Sequence, residues 1–158
     1  MQRVIRIEAA CARGDIEMVK LVLSMQPVRH VLLQGALSNA AFSGHLETVS
    51  YLAETVGVTF GHDAAFANAA ANAHLDIMHY IAMLGRMHGR CMEWALMSAV
   101  DSGVVDAVRL VIVTAMALLP YDAERSLIKK AWSHSDGKPI RSQLYTVLCN
   151  SMRISLLW

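Results

Sequence analysis

Basic clusters, paired cysteines and long apolar runs are scarce in this chain, and each shortage closes a class of function. The 14 Lys and Arg nearly balance 13 Asp and Glu, leaving a formal net charge of +1, and no basic run exists beyond Lys129-Lys130. Sequence-independent nucleic-acid binding needs a clustered basic face, so nucleic acid is not an expected partner. Cys11, Cys91 and Cys149 are odd in number and far apart, with no Cys-x-x-Cys. That usage fits a reducing, cytoplasmic setting better than a disulfide scaffold. The longest apolar run, Leu110 to Leu119, falls short of the roughly 20 residues that a bilayer demands, so no membrane span is expected. It reads instead as a buried second helix extended to Pro120. The N-terminus has neither a continuous apolar core nor a small-residue cleavage site, so no secretory leader is expected.

Catalytic spacings are missing too. There is no glycine-framed serine nucleophile and no His-Glu-x-x-His. Ser135-Asp136-Gly137-Lys138-Pro139 echoes a phosphate loop, yet it lacks the upstream glycine, the following Ser or Thr and the preceding strand. Its composition is that of a turn. The seven histidines include His62, His79 and His88, which with Cys91 form the one set that could approach a metal site. No third and fourth ligand stand at recognisable zinc spacing. Neither an enzyme nor a cofactor is expected, with a small metal-dependent enzyme as the least favoured alternative.

What the chain does have is a period. Ile7, Leu37, Phe66, Leu96 and Leu127 follow one another at intervals of 30, 29, 30 and 31 residues. Small pairs follow them: Ala10-Cys11, Ala40-Ala41, Ala69-Ala70, Ala99-Val100 and the degenerate Lys130-Ala131. Then come Gly14, Gly44, Ala73 and Gly103, and next the acidic residues Glu17, Glu47, Asp76 and Asp106. A fixed period of 20–50 residues signals stacked supersecondary units. Each unit reads as two helices. The first is short and alanine-rich, as in 37–42, and stops at a residue able to take the left-handed turn. The second carries apolar stripes at Ile16, Val19, Val22; Leu46, Val49, Leu52; Leu75, Met78, Ile81; and Val105, Val108, Val111. That spacing keeps one helical face apolar. Its acidic residue sits in the first turn, where the helix dipole favours negative charge by about 0.3–1 kcal/mol. The expected fold is all-α, a solenoid of helix pairs in one domain over 1–158. Four units fall at about 5–25, 35–56, 64–85 and 94–118, with a degenerate capping unit at about 124–150.

These residues resemble the ankyrin repeat family. Ala-Ala-Phe-Ser-Gly-His-Leu-Glu-Thr-Val-Ser-Tyr-Leu (40–52) is similar to an ankyrin helical core, and 10–22, 70–81 and 100–111 are copies of it. The units are shorter than the usual 33 residues and lack Thr-Pro-Leu-His. The missing residues come from the connections, so short loops and no regular β-hairpin are expected. The resemblance implies a non-catalytic module that binds a partner protein on its concave face. His45 and His74 share a register position at which the family often carries histidine, which implies a repeat role. Short divergent units of this kind look similar to ankyrin proteins of large DNA viruses and intracellular bacteria, which would place the chain in host-cell cytosol.

Register also nominates the residues of that face. From the position before each small pair and the two after it, the candidates are Arg13, Asn39, Phe42, Ser43, Asn68, Asn72, Ser98, Asp101 and Trp132, with Asn39, Asn68 and Ser98 as a polar ladder and Phe42 and Trp132 as apolar anchors. Phe42 is equally readable as a packing residue against the adjacent helix, and Trp132, in the degenerate unit, reads better as core than as an anchor. Met25, Met83, Met87 and Met92, near the connections, suggest an alternative methionine-rich groove. The apolar end, Ile154-Ser155-Leu156-Leu157-Trp158, is a lid on the fifth unit, the stub of a longer array or a self-associating edge. The last option makes a homo-oligomeric scaffold the alternative to a partner-binding module.

Overall fold

The computed structural model describes residues 2–25, 30–55, 57–58, 61–85, 87 and 91–155, with the side chains of 2–6, 30–31, 55, 121 and 149–155 left aside. Every element among them is helical. In chain order these are α1 (Gln2–Arg13), α2 (Ile16–Met25), α3 (His30–Phe42), α4 (Leu46–Ser50), α5 (His62–Ala71), α6 (Leu75–Leu84), α7 (Met92–Ser102), α8 (Val105–Leu118), α9 (Tyr121–His134) and α10 (Arg141–Ser155). A π-helical turn, Tyr51–Thr55, continues α4. No helix among the described residues is long and apolar enough to cross a membrane.

The odd-numbered helices lie side by side, α1 on α3, α3 on α5, α5 on α7 and α7 on α9, and each packs on the helix that follows it. Small residues make this possible. Ala10, Cys11, Ala40, Ala41, Ala69, Ala70, Ala99 and Val100 are all 0–1% exposed, and side chains this short let neighbouring backbones close up. The periodic anchors fill the remaining space: Ile7, Leu37, Phe66 and Leu96 are buried at 0–1% and Leu127 at 6%. Burying such a side chain is worth about 1.5–3 kcal/mol. On the second helices, Val19, Val49, Leu52, Met78, Ile81, Val108 and Val111 complete one continuous core.

The first helices begin earlier than the repeat pattern suggests. α3 has 13 residues and starts at His30, so helix replaces part of the expected connection. Leu33 and Ala36 in α3, His62 in α5 and Met92 in α7 bury that added stretch. No strand occurs among the described residues, and 26–29, 56, 59–60, 86 and 88–90, in the connections, lie outside them. The fifth helix pair is also offset. Its left-handed glycine is Gly137 (φ 72°), three residues beyond the register position His134, because α9 runs to His134 before turning.

The turns between paired helices repeat in detail. The amides of Asp15, His45 and His74 donate to the carbonyls of Ala10, Ala40 and Ala69 at 3.0, 3.0 and 2.9 Å. Those six-residue closures satisfy the end of each first helix. They need a left-handed residue, and Gly14, Gly44 and Ala73 have φ of 69°, 83° and 56°; Gly103 has φ 73°, but there the Val104 amide donates to Ser102 Oγ at 3.3 Å instead. One of the four is not glycine; at Gly14 and Gly44 the following unit adds a steric reason for glycine, whereas nothing stands within 4 Å of a Cβ at Gly103. A Cβ at Gly14 would stand 2.6 Å from the His45 ring, and one at Gly44 would stand 2.7 Å from the His74 ring. Counting one unit on from Ala73, the position held by those histidines is Val104, so no imidazole claims the space. Ala73 carries only the conformational penalty, roughly 1–2 kcal/mol for an L-residue there. Ala73→Gly is therefore expected to raise unfolding free energy by about 1 kcal/mol, whereas Gly44→Ala should lower it by at least that amount. Urea denaturation of the two variants checks the pair of signs.

Candidate partner-binding face

Each first helix turns one stripe away from the core. On α3 it is Gly35, Asn39 and Phe42; on α5, Ala64, Asn68 and Ala71; on α7, Trp94, Ser98 and Asp101; on α9, Arg125, Lys129 and Trp132. These positions are four and three residues apart, the spacing of one helical face. Phe42 is 53% exposed and Trp94 51%. Between them α5, packed on both α3 and α7, offers only Ala64, Asn68 and Ala71. In register Phe42 is level with Ala71 and Trp94 with Ala64, so the two aromatics mark opposite ends of a face of small side chains and one amide.

The polar ladder is half-buried at Asn39, Asn68 and Ser98. Asn68 Nδ2 donates to the Ser38 carbonyl at 3.5 Å, so α5 is tied to α3 across this face. Asn72 is exposed and donates from Nδ2 to the Asn68 carbonyl at 3.2 Å. Arg13 is exposed and Ser43 half-buried. Asp101, although exposed, is engaged inside the chain: Lys138 donates to its Oδ1, and His134 Nε2 stands 2.9 Å from the same oxygen. The hydrogen bond from Lys138, opposed by partial desolvation and helped by His134, holds the Asp101 carboxyl below the ordinary aspartate range. Lys138 belongs to the 135–139 segment, where Ser135 is buried and donates from Oγ to the Trp132 carbonyl at 2.7 Å. Trp132 itself is half-buried, with the Arg141 guanidinium 4.7 Å from its ring centre and the Tyr145 ring at 6.2 Å. Trp94 is the residue that pattern reading passed over. The signal was its size, since the same register holds Gly35 and Ala64.

The histidines at the shared position bind backbone. His45 Nε2 lies 3.1 Å from the Ala12 carbonyl, and His74 Nε2 lies 3.1 Å from the Phe42 carbonyl. A carbonyl only accepts, so Nε2–H is the donor in both. Each imidazole satisfies a carbonyl at the end of the preceding first helix, one of the groups that a helix leaves without an internal partner.

Compared with protein-family models, curated proteins and solved structures, the chain matches none.

Among the described residues, no group of three or more His, Cys, Asp or Glu is placed to hold a metal ion. His62 is buried and His79 exposed, and His88 lies outside the described residues. The four methionines near the connections divide: Met25 and Met83 are 71% and 87% exposed, but Met87 and Met92 are buried at 8% and 0%. A groove lined by all four is therefore not formed, since the last two fill the core beside α7. Burial pushes the thiols of Cys11 and Cys91 up to about 12, aided by the Glu8 charge at Cys11 and by a hydrogen bond to Asp63 at Cys91. Both stay protonated at neutral pH, and a protonated thiol is neither nucleophile nor ready metal ligand. A thiol-reactive probe at pH 8, mapped by mass spectrometry, is expected to leave the fully buried Cys11 unmodified until denaturant is added. Rapid labelling of Cys11 in the native protein would contradict this account of its burial.

Proposed function

We propose that this chain is a stack of ankyrin-like repeats and a non-catalytic module that captures a partner protein on the outward face of its first helices. The observation that carries the reading is the pair of half-exposed aromatics, Phe42 and Trp94, facing outward on two helices with α5's small residues between them. Exposed aromatics beside a shallow floor are the kind of side chain that dominates interface energy. The half-buried amides of Asn39 and Asn68 supply donors and acceptors beside them. In register and in their left-handed turns the units at 5–25, 35–56, 64–85 and 94–118 agree with one another, and the second and third share the histidine contact to the preceding unit, which supports a repeat stack with α9 and α10 as its atypical last pair. Such stacks present extended surfaces to partners. The balanced charge favours a protein partner, and the buried, protonated thiol of Cys11 favours a reducing, cytoplasmic setting.

Repeat scaffolds take their specificity from surface residues, so the test is made on those residues. The immobilised chain is compared in lysate capture with a Phe42→Ala, Asn68→Ala, Trp94→Ala variant and with Met83→Ala, whose methionine lies on α6. We expect the same retained protein on the intact chain and on Met83→Ala, with a loss of at least about tenfold on the triple variant. Equal retention by all three would reject this face.

A further inference from the structure

The outward face has a finer order than its two aromatics. A middle row crosses the first helices at Asn39, Asn68 and Ser98, all half-buried, and closes on the exposed Lys129. Phe42 on α3 and Trp94 on α7 stand on opposite sides of that row, two helices apart. Its amides still have hydrogens to give. An Asn side chain offers two; Asn68 spends one on the Ser38 carbonyl, and Asn39 spends none on a group among the described residues. Gly35, Ala64 and Ala71 beside them leave a backbone room to approach. The stripe carries no charge on α3 and α5, and Asp101 on α7 is held by Lys138 and His134. At α9 it turns basic with Arg125 and Lys129, while Asp122 lies two helical turns from Lys129, at the edge of the face.

We propose, resting on the assignment of this face to a partner protein, that its occupant is a polyproline-II segment carrying an acidic side chain opposite Lys129. Three features select that occupant. First, half-buried amide donors need an acceptor that comes to them. The carbonyls of an α-helix are spent on its own amides, whereas a polyproline-II chain makes no internal hydrogen bond and keeps its carbonyls open. Second, the repeat sets the pitch. Packed helices lie about 8–10 Å apart, and a polyproline-II turn of three residues advances about 9.3 Å. A segment crossing α3, α5, α7 and α9 therefore presents the same side to each helix. A β-strand, whose side chains alternate at every residue, loses that match. The crossing segment meets Phe42 on one flank and, two turns on, Trp94 on the other, and aromatic rings are what proline-rich segments dock against. Third, charge fixes the end over α9, where Lys129 closes the row and attracts a carboxylate.

Crossing from α3 to α9 takes about nine residues, so a phage-displayed library of random linear peptides about 12 residues long is selected on the immobilised chain. The expected winners carry prolines three apart and Asp or Glu at a fixed distance from them. A synthetic winner should bind Asn39→Asp at least about tenfold more weakly, since a carboxylate replaces the amide donor. Selection on Lys129→Glu, at an exposed site, should exchange the acidic position for Lys or Arg. The Phe42→Ala, Asn68→Ala, Trp94→Ala variant should select none of these peptides. Amphipathic helical winners, no linear winner at all, a winner indifferent to Asn39→Asp, or an acidic preference unmoved by Lys129→Glu would each overturn the proposal. Loss of lysate capture by the triple variant would in those cases leave the face itself standing. The same peptides selected on the triple variant would reject both.

Discussion

The close approach of neighbouring first helices across pairs of small residues is the constraint from which the other features follow. Ala40-Ala41 and Ala69-Ala70 have no solvent exposure, and a side chain longer than alanine on both sides would force the helices apart. Once they lie this close, the end of one helix comes within reach of the next unit's turn. His45 and His74 use that proximity to bind the carbonyls of Ala12 and Phe42. Their rings then occupy the space over Gly14 and Gly44, so a residue without Cβ is required there for steric as well as backbone reasons. Ala73 marks the place where the following unit brings Val104 instead, and there the steric half of the requirement lapses.

Much of this architecture was legible in the order of residues because it repeats. Leu37 and Phe66 are buried through the same contacts that bury Ile7 and Leu96, and an interaction made four times leaves four copies of its signature. What happens once leaves none. The early start of α3 at His30 depends on Leu33 and Ala36 finding burial that no consensus required. The lateness of Gly137 follows from α9 continuing through His134. Asp101 belongs to the outward register of α7, yet Lys138 and His134, more than thirty residues on, engage it. Trp94 could have been found by size alone, since it replaces glycine and alanine. Met87 and Met92 could not be separated from Met25 and Met83, because methionine suits a core gap and an open surface equally.

The outward face of the first helices exists on every unit and differs from unit to unit: Gly35 and Phe42, Ala64 and Ala71, Trp94 and Asp101 are successive fillings of the same two rows. Gly35 is limited by Glu8, whose Oε1 would stand 2.6 Å from a Cβ there, and Asp101 is held by Lys138 and His134, whereas Phe42 and Trp94 remain about half exposed.

The central claim is that units one period apart touch through the same contacts. Nuclear Overhauser contacts from the histidine rings test it most directly. The account predicts cross-peaks from the His45 ring to Gly14 and Ala12, and from the His74 ring to Gly44 and Phe42, across 30 to 33 residues of sequence. Ring contacts confined to each histidine's own helix would contradict it, and with it the arrangement on which the outward face rests.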